Sequence, residues 1–128
     1  MKIQESAENY LEAILKLSQE KGQVRSIDIV NELHFSKPSI SYAMKRLREN
    51  GYILMDNNGF ITLTNEGRII AERTFNRHNV LSSYLMALGV DEETALADAC
   101  RIEHVISPQT FDCINRHVQG RTPRNANL

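Results

Sequence analysis

Ser36-Lys37-Pro38-Ser39-Ile40-Ser41-Tyr42-Ala43-Met44-Lys45-Arg46-Leu47-Arg48-Glu49-Asn50-Gly51 decides the fold. Ser36 suits an N-cap and Pro38 a first helical turn, Ile40, Met44 and Leu47 keep the helical period, and Asn50-Gly51 ends it. Directly behind, Tyr52-Ile53-Leu54-Met55 and Phe60-Ile61-Thr62-Leu63 flank Asp56-Asn57-Asn58-Gly59. Two β-rich runs around an Asn-Gly turn form the strongest short hairpin signal.

Upstream, Ser26 is expected to cap a short helix that buries Ile27, Ile29, Val30 and Leu33 and ends at Leu33 or His34. Before it, Tyr10, Leu11, Ile14, Leu15 and Leu17 mark one face of a helix from Ser6 to Lys21, closed near Gly22. Helix, helix, tight turn His34-Phe35-Ser36, helix and hairpin follow the order of a winged helix-turn-helix, whose third helix enters the major groove. The non-core positions of that helix carry Ser36, Lys37, Ser39, Ser41, Tyr42, Lys45 and Arg46, and Arg25, Asn57 and Asn58 stand ready for phosphates. Between Lys37 and Gly51 there are four cations and one acid, so positive charge gathers where DNA would lie. A solvated helix face is the plainer reading of such a charge run, and the hairpin and hydroxyl-rich helix start tip the balance towards DNA.

Downstream, Thr64 or Asn65 opens a helical pattern through Ile69, Ile70, Phe75, Val80, Leu81, Tyr84, Leu85 and Leu88, closed by Gly89. At ~1.5 Å per residue such a helix spans roughly 35 Å, long enough to link two small lobes. Asp91 caps a helix through Val105, Ser107-Pro108 breaks it, and a last helix from Pro108 to about Gln119 buries Phe111, Ile114 and Val118. The fold is expected to be mainly α.

The chain has 128 residues, 15 Lys plus Arg against 16 Asp plus Glu, and a formal charge of -1, so any nucleic-acid contact depends on local clustering. Cys100 and Cys113 form no CxxC pair, which argues against a secreted disulfide scaffold or a four-thiolate zinc site and for a reducing cytoplasm. The opening Met1-Lys2-Ile3-Gln4-Glu5-Ser6 lacks the apolar core of a signal peptide, and no apolar run approaches the roughly 20 residues of a membrane helix.

Cys100, Glu103 and His104 fall at i, i+3 and i+4, placing a thiolate, a carboxylate and an imidazole on one helix face. Asn9 and Glu12 share a face of the first helix and His78 lies on the long helix, so three segments could converge on one divalent ion. Singly, each has a structural reading: a small core cysteine, satisfied histidines, a solvated acid.

Glu8-Asn9-Tyr10-Leu11-Glu12-Ala13-Ile14, Arg77-His78 and Ala99-Cys100-Arg101-Ile102-Glu103-His104-Val105-Ile106-Ser107 together resemble the diphtheria-toxin-repressor and manganese-transport-regulator family of metal-dependent transcriptional regulators. The likeness covers about residues 5 to 119 and points to the short form without the SH3-like domain. It implies a cytoplasmic homodimer that binds double-stranded operator DNA and represses metal-uptake genes, with no membrane and no organic substrate as partner. It implies Cys100, Glu103 and His104 as primary ligands, with Glu12, His78 and the helix-one position Asn9 beside them. Ser82 and Leu96 occupy two of the family's ancillary-site positions, which argues against a second site of that kind. Cys100 stands where the manganese branch has Glu, and a thiolate favours softer ions, so Fe(II) is favoured as corepressor and Mn(II) comes next.

The expected organisation is a winged helix-turn-helix DNA-binding domain over 1–70, an all-helical metal-binding and dimerisation domain over 71–120, and a disordered tail over 121–128. The rival reading is a metal-independent winged-helix module that binds DNA or protein. A small zinc enzyme is disfavoured, since no Gly-rich loop or nucleophile with its base accompanies the ligands.

Overall fold

The computed structural model describes residues 5–121. The tail expected over 121–128 lies, but for the backbone of Arg121, outside the described residues. Among them the order is α1 (Glu5–Lys21), α2 (Ser26–Leu33), α3 (Lys37–Glu49), β1 (Ile53–Met55), β2 (Ile61–Leu63), α4 (Asn65–Ala87), α5 (Glu92–Val105) and α6 (Pro108–Arg121). The chain forms two compact units, Met1–Thr74 and Phe75–Leu128, dividing within α4.

In the N-terminal unit Leu11 and Ile14 of α1, Ile29 of α2 and Ile40 of α3 have no exposed surface, and Met44, Leu47, Ile53 and Ile61 are nearly as enclosed. This core fixes α3 by its Ile40-Met44-Leu47 stripe and leaves the opposite face to solvent. Each fully buried aliphatic side chain stabilises the fold by about 1.5–3 kcal/mol, so the stripe alone outweighs the caps around it. The turn from α2 to α3 is made by His34, in the left-handed region at φ 61°, with its N–H donating to the Val30 carbonyl at 2.8 Å. Ser36 then caps α3, accepting from the Ser39 N–H at 3.2 Å.

Strands β1 and β2 pair antiparallel, Ile53 with Leu63, Leu54 with Thr62 and Met55 with Ile61. They are shorter by one residue each than the apolar runs suggest, because Tyr52 and Phe60 leave the ladder. Tyr52 donates instead to the Leu47 carbonyl and accepts from the Thr64 N–H, tying the hairpin to both flanking helices. The Asp56 carboxylate accepts from the Asn58 and Phe60 N–H groups at 2.9 Å each, and Gly59, at φ 84°, donates to the Asp56 carbonyl. Gly51 likewise donates, to the Arg48 carbonyl at 3.1 Å. A bridge absent from the sequence reading joins Val24 to Ile61.

Four details depart from expectation. The N-cap of α2 is Arg25 rather than Ser26: the Asp28 carboxylate accepts the Arg25 N–H at 2.9 Å, closing the first turn from its third residue. Ile27 is 43% exposed, because Ile29 alone is buried from that helix and Val30 and Leu33 are half-buried. Ile69 and Leu88 are 64% and 60% exposed although they fit the period of α4, since periodicity names a face without naming what covers it. Helix α6 runs to Arg121 rather than stopping near Gln119. Among the described residues no helix is long and apolar enough to cross a membrane.

Gly67 sits inside α4 for a steric reason: a Cβ there would lie 2.0 Å from the Tyr52 carbonyl oxygen. Because that atom is backbone, it cannot swing aside. Gly67→Ala is therefore expected to destabilise the chain by at least about 2 kcal/mol in urea unfolding, against the small gain alanine normally brings to a helix. Unchanged stability would show that Tyr52 yields. Asp28 has its carboxyl held below the usual range by the Lys21 ammonium and then by the Arg25 N–H. A lowered folded pKa contributes stability that is complete above the unfolded value and lost as pH falls through the folded one. Asp28→Asn should cost about 1 kcal/mol at pH 7, and the gap to wild type should close as pH falls below the usual carboxylate range.

Candidate metal centre and nucleic-acid interface

Helix α5 starts at Asp91, whose carboxylate accepts from the Thr94 N–H at 3.1 Å, with Glu92 and Glu93 favourably placed in the first turn. Its inner stripe is Ala95, Ala99 and Glu103, two small side chains followed by a carboxylate that is 1% exposed. Around it Val80, Leu81, Ala99 and Phe111 form the core of the C-terminal unit, with Ile102, Ile106, Ile114 and Val118 packed on them.

One ligand-type atom each from Cys100, Glu103 and His104 lies within 4.8 Å of the others. Cys100 is exposed, and the His104 side chain has no exposed surface. From α4, His78 Nδ1 stands 3.1 Å from Glu103 Oε2, a hydrogen bond whose donor depends on the tautomer. His104 Nε2 is 3.3 Å from Glu103 Oε1, yet Oε1 receives no hydrogen bond from any described residue. A buried carboxylate oxygen without a donor is costly, and its neighbours here are an imidazole and a thiol. Cys100, Glu103 and His104 thus offer one S, one O and one N atom, a set that suits a divalent transition ion.

Four of the six residues proposed from sequence thus gather in the C-terminal unit. Asn9 and Glu12 lie one turn apart on α1 of the N-terminal unit, both half-buried. Arg77 was missed. Its Nη1 donates to the carbonyls of Glu103 at 3.2 Å and Ile106 at 3.5 Å, and its guanidinium lies 5.3 Å from the Phe111 ring centre. That cation caps the carbonyl end of α5 beside Glu103; α4 also carries Arg68 and Arg73, and the cue in the sequence was the place of Arg77 beside His78.

Every residue proposed for DNA contact is exposed, namely Arg25, Ser36, Lys37, Ser39, Ser41, Tyr42, Lys45, Arg46, Asn57 and Asn58. The Arg25 guanidinium lies 4.4 Å from the Phe60 ring centre, which holds it beside the wing. Arg101 is an exposed partner of Asp98 at 3.4 Å.

A winged helix-turn-helix with cations on its third helix, joined to a helical unit bearing thiolate, carboxylate and imidazoles, is the layout of a metal-responsive DNA-binding regulator rather than an enzyme. Residues 2–59 match the N-terminal DNA-binding domain of the iron dependent repressors, and residues 64–122 match their metal binding and dimerisation domain. The transcriptional regulator MntR of Escherichia coli O6:H1 is 34% identical over 115 residues, which is 90% of this chain and 74% of that one. The HTH-type transcriptional regulator MntR of Bacillus subtilis is 34% identical over 114 residues, 89% of this chain and 80% of that one. Among solved structures, a manganese-dependent transcriptional repressor in complex with manganese superposes with TM-score 0.80 at 26% identity, covering 88% of this chain and 52% of that one. The chain belongs to the iron-dependent repressor family of metal-dependent transcriptional regulators.

Glu103→Gln separates the cost of this site from its use. Removing a buried charge with one unsatisfied oxygen should leave the metal-free protein as stable as wild type, or up to about 2 kcal/mol more stable. The same substitution should abolish the rise in melting temperature on adding Mn(II) or Co(II). A large loss of stability without metal would mean that Glu103 is a structural residue.

Proposed function

We propose that this chain is a cytoplasmic homodimeric repressor of metal-uptake genes, with divalent Fe(II) as preferred corepressor and Mn(II) next, acting on double-stranded operator DNA. The observation that carries the reading is the Cys100, Glu103 and His104 cluster with its donorless buried Glu103 oxygen. When bound, the divalent ion supplies the positive charge that lets a thiolate, a carboxylate and imidazoles share one point. Cys100 provides the soft donor that favours iron over manganese, Glu103 the anionic oxygen, and His104 a neutral imidazole nitrogen. His78 orients the Glu103 carboxylate through the 3.1 Å contact and is itself a proposed ligand. Asn9 and Glu12 are the ligands that the family resemblance adds.

On the DNA side, the exposed face of α3 enters the major groove and the wing residues Asn57 and Asn58, with Arg25, meet phosphates. In a homodimer the two α3 helices address half-sites one helical turn apart, about 34 Å. Coupling between metal and DNA is reciprocal: a tenfold gain in DNA affinity on metal binding, ~1.4 kcal/mol, requires a tenfold gain in metal affinity on DNA binding.

The test is an anaerobic Co(II) titration of the reduced protein, Cys100→Ser, His104→Ala and Glu12→Gln, followed by optical absorption and by DNA binding with and without chelator. A saturable thiolate-to-cobalt band should appear in wild type and vanish in Cys100→Ser, and DNA affinity should drop at least tenfold in chelator or in His104→Ala. Metal binding without the band would shift the centre to oxygen and nitrogen ligands and favour manganese. DNA affinity indifferent to chelator would replace the proposal with a metal-independent winged-helix module.

A further inference from the structure

Resting on the DNA-binding reading above, we propose that Tyr42 is the residue of α3 that selects a base, thymine, in the major groove, and that Arg46 is its positioning residue. Tyr42 is 62% exposed, a large apolar ring on a face otherwise made of hydroxyls and cations. It is not loose. Arg46, one helical turn on, donates from Nη1 to the Tyr42 hydroxyl at 3.0 Å, and its guanidinium carbon lies 5.8 Å from the ring centre. Arg46 also keeps its helix end in order, since its carbonyl accepts from the Asn50 side chain at 2.8 Å. Among the described residues the side chains of Lys37, Lys45 and Arg48 make no hydrogen bond or ion pair, so Arg46 alone of the α3 cations is already committed to a neighbour.

The chemistry of the committed pair points to one base. A phenol oxygen that accepts from a guanidinium turns its own O–H outward as a donor. The outward surface is therefore a hydrogen-bond donor beside an apolar ring edge. Thymine presents the matching pair in the major groove, the O4 acceptor next to the C5 methyl. Cytosine presents an amino donor there, which meets the O–H donor to donor, while adenine (N7) and guanine (N7, O6) offer acceptors but no methyl beside them. Tyrosine has only two side-chain torsions and the arginine fork is planar, so little freedom remains to be lost when DNA arrives. Lys37 and Lys45, with nothing holding them, suit phosphates, where position matters less.

The test presupposes no site sequence. Duplexes are enriched from a random library by the wild-type chain in Mn(II). In the enriched duplex each thymine is then replaced singly by deoxyuridine, which deletes the C5 methyl alone. Dissociation constants are measured for wild type, Tyr42→Ala, Tyr42→Phe and Arg46→Ala. At one thymine per half-site wild type should lose about fourfold, the worth of one buried methyl. That loss should shrink below twofold in Tyr42→Ala and be clearly reduced in Arg46→Ala, with other thymines unaffected. Tyr42→Phe should keep the methyl penalty and lose its discrimination against cytosine at the same position. A deoxyuridine penalty undiminished in Tyr42→Ala, or absent everywhere in wild type, overturns the assignment. Failure of the wild type to enrich any duplex overturns instead the DNA-binding reading on which it rests.

Discussion

A carboxylate with almost no exposed surface organises the C-terminal unit. Burying a charge costs several kcal/mol unless neighbours compensate, and Glu103 has only partial compensation: His78 contacts one oxygen, and among the described residues none makes a hydrogen bond to the other, which has His104 Nε2 at 3.3 Å. The surrounding packing must absorb that deficit. Ala95 and Ala99 keep the inner face of α5 small, and the Val80, Leu81 and Phe111 cluster seals it. Arg77 anchors the end of α5 by two carbonyls and by Phe111. Helix, core and cation thus hold an unfavourable oxygen in place, and the proposed metal centre draws on that disposition.

In the N-terminal unit the governing feature is the division of α3 into two faces. Ile40, Met44 and Leu47 face the core, and every polar side chain assigned to DNA stands on the other side. The hairpin is secured at both ends, through Tyr52 to Leu47 and Thr64 and through Val24 to Ile61. Gly67 lets α4 start against the Tyr52 carbonyl, so the wing is closed off by a backbone contact that no side chain could share.

The features legible in the sequence were the local ones. Ser36 and Asp91 cap their helices as expected, because a cap depends on residues three apart. The Asn-Gly hairpin formed because its turn chemistry is self-contained. Most misreadings came from partners far along the chain, the α2 cap being the exception, since Asp28 is three residues from Arg25. Ile27, Ile69 and Leu88 fit a helical period yet face solvent, since nothing local records which neighbour covers a stripe. The Cys100-Glu103-His104 spacing was visible as one helix face, whereas the His78 contact spans 25 residues, so the sequence offered His78 as a converging residue without its partner. Arg77 stood in the resemblance only as the neighbour of His78, and its role was not legible because its partners are backbone carbonyls, which every residue carries.

The two Asn-Gly dipeptides, one just before the wing and one in its turn, carry a chemical consequence. Asparagine before glycine ages by attack of the glycine amide nitrogen on the asparagine side chain, forming a succinimide and then an acidic or isomerised residue. Here both nitrogens are engaged, Gly51 with the Arg48 carbonyl and Gly59 with that of Asp56. The turns that shape the wing therefore shelter its most labile bonds, and protein ageing at these positions follows the fraction of time the hairpin is open. Each event adds negative charge or a kink beside α3, whose exposed face carries Lys37, Lys45 and Arg46, and so weakens the attraction of that face for a polyanion.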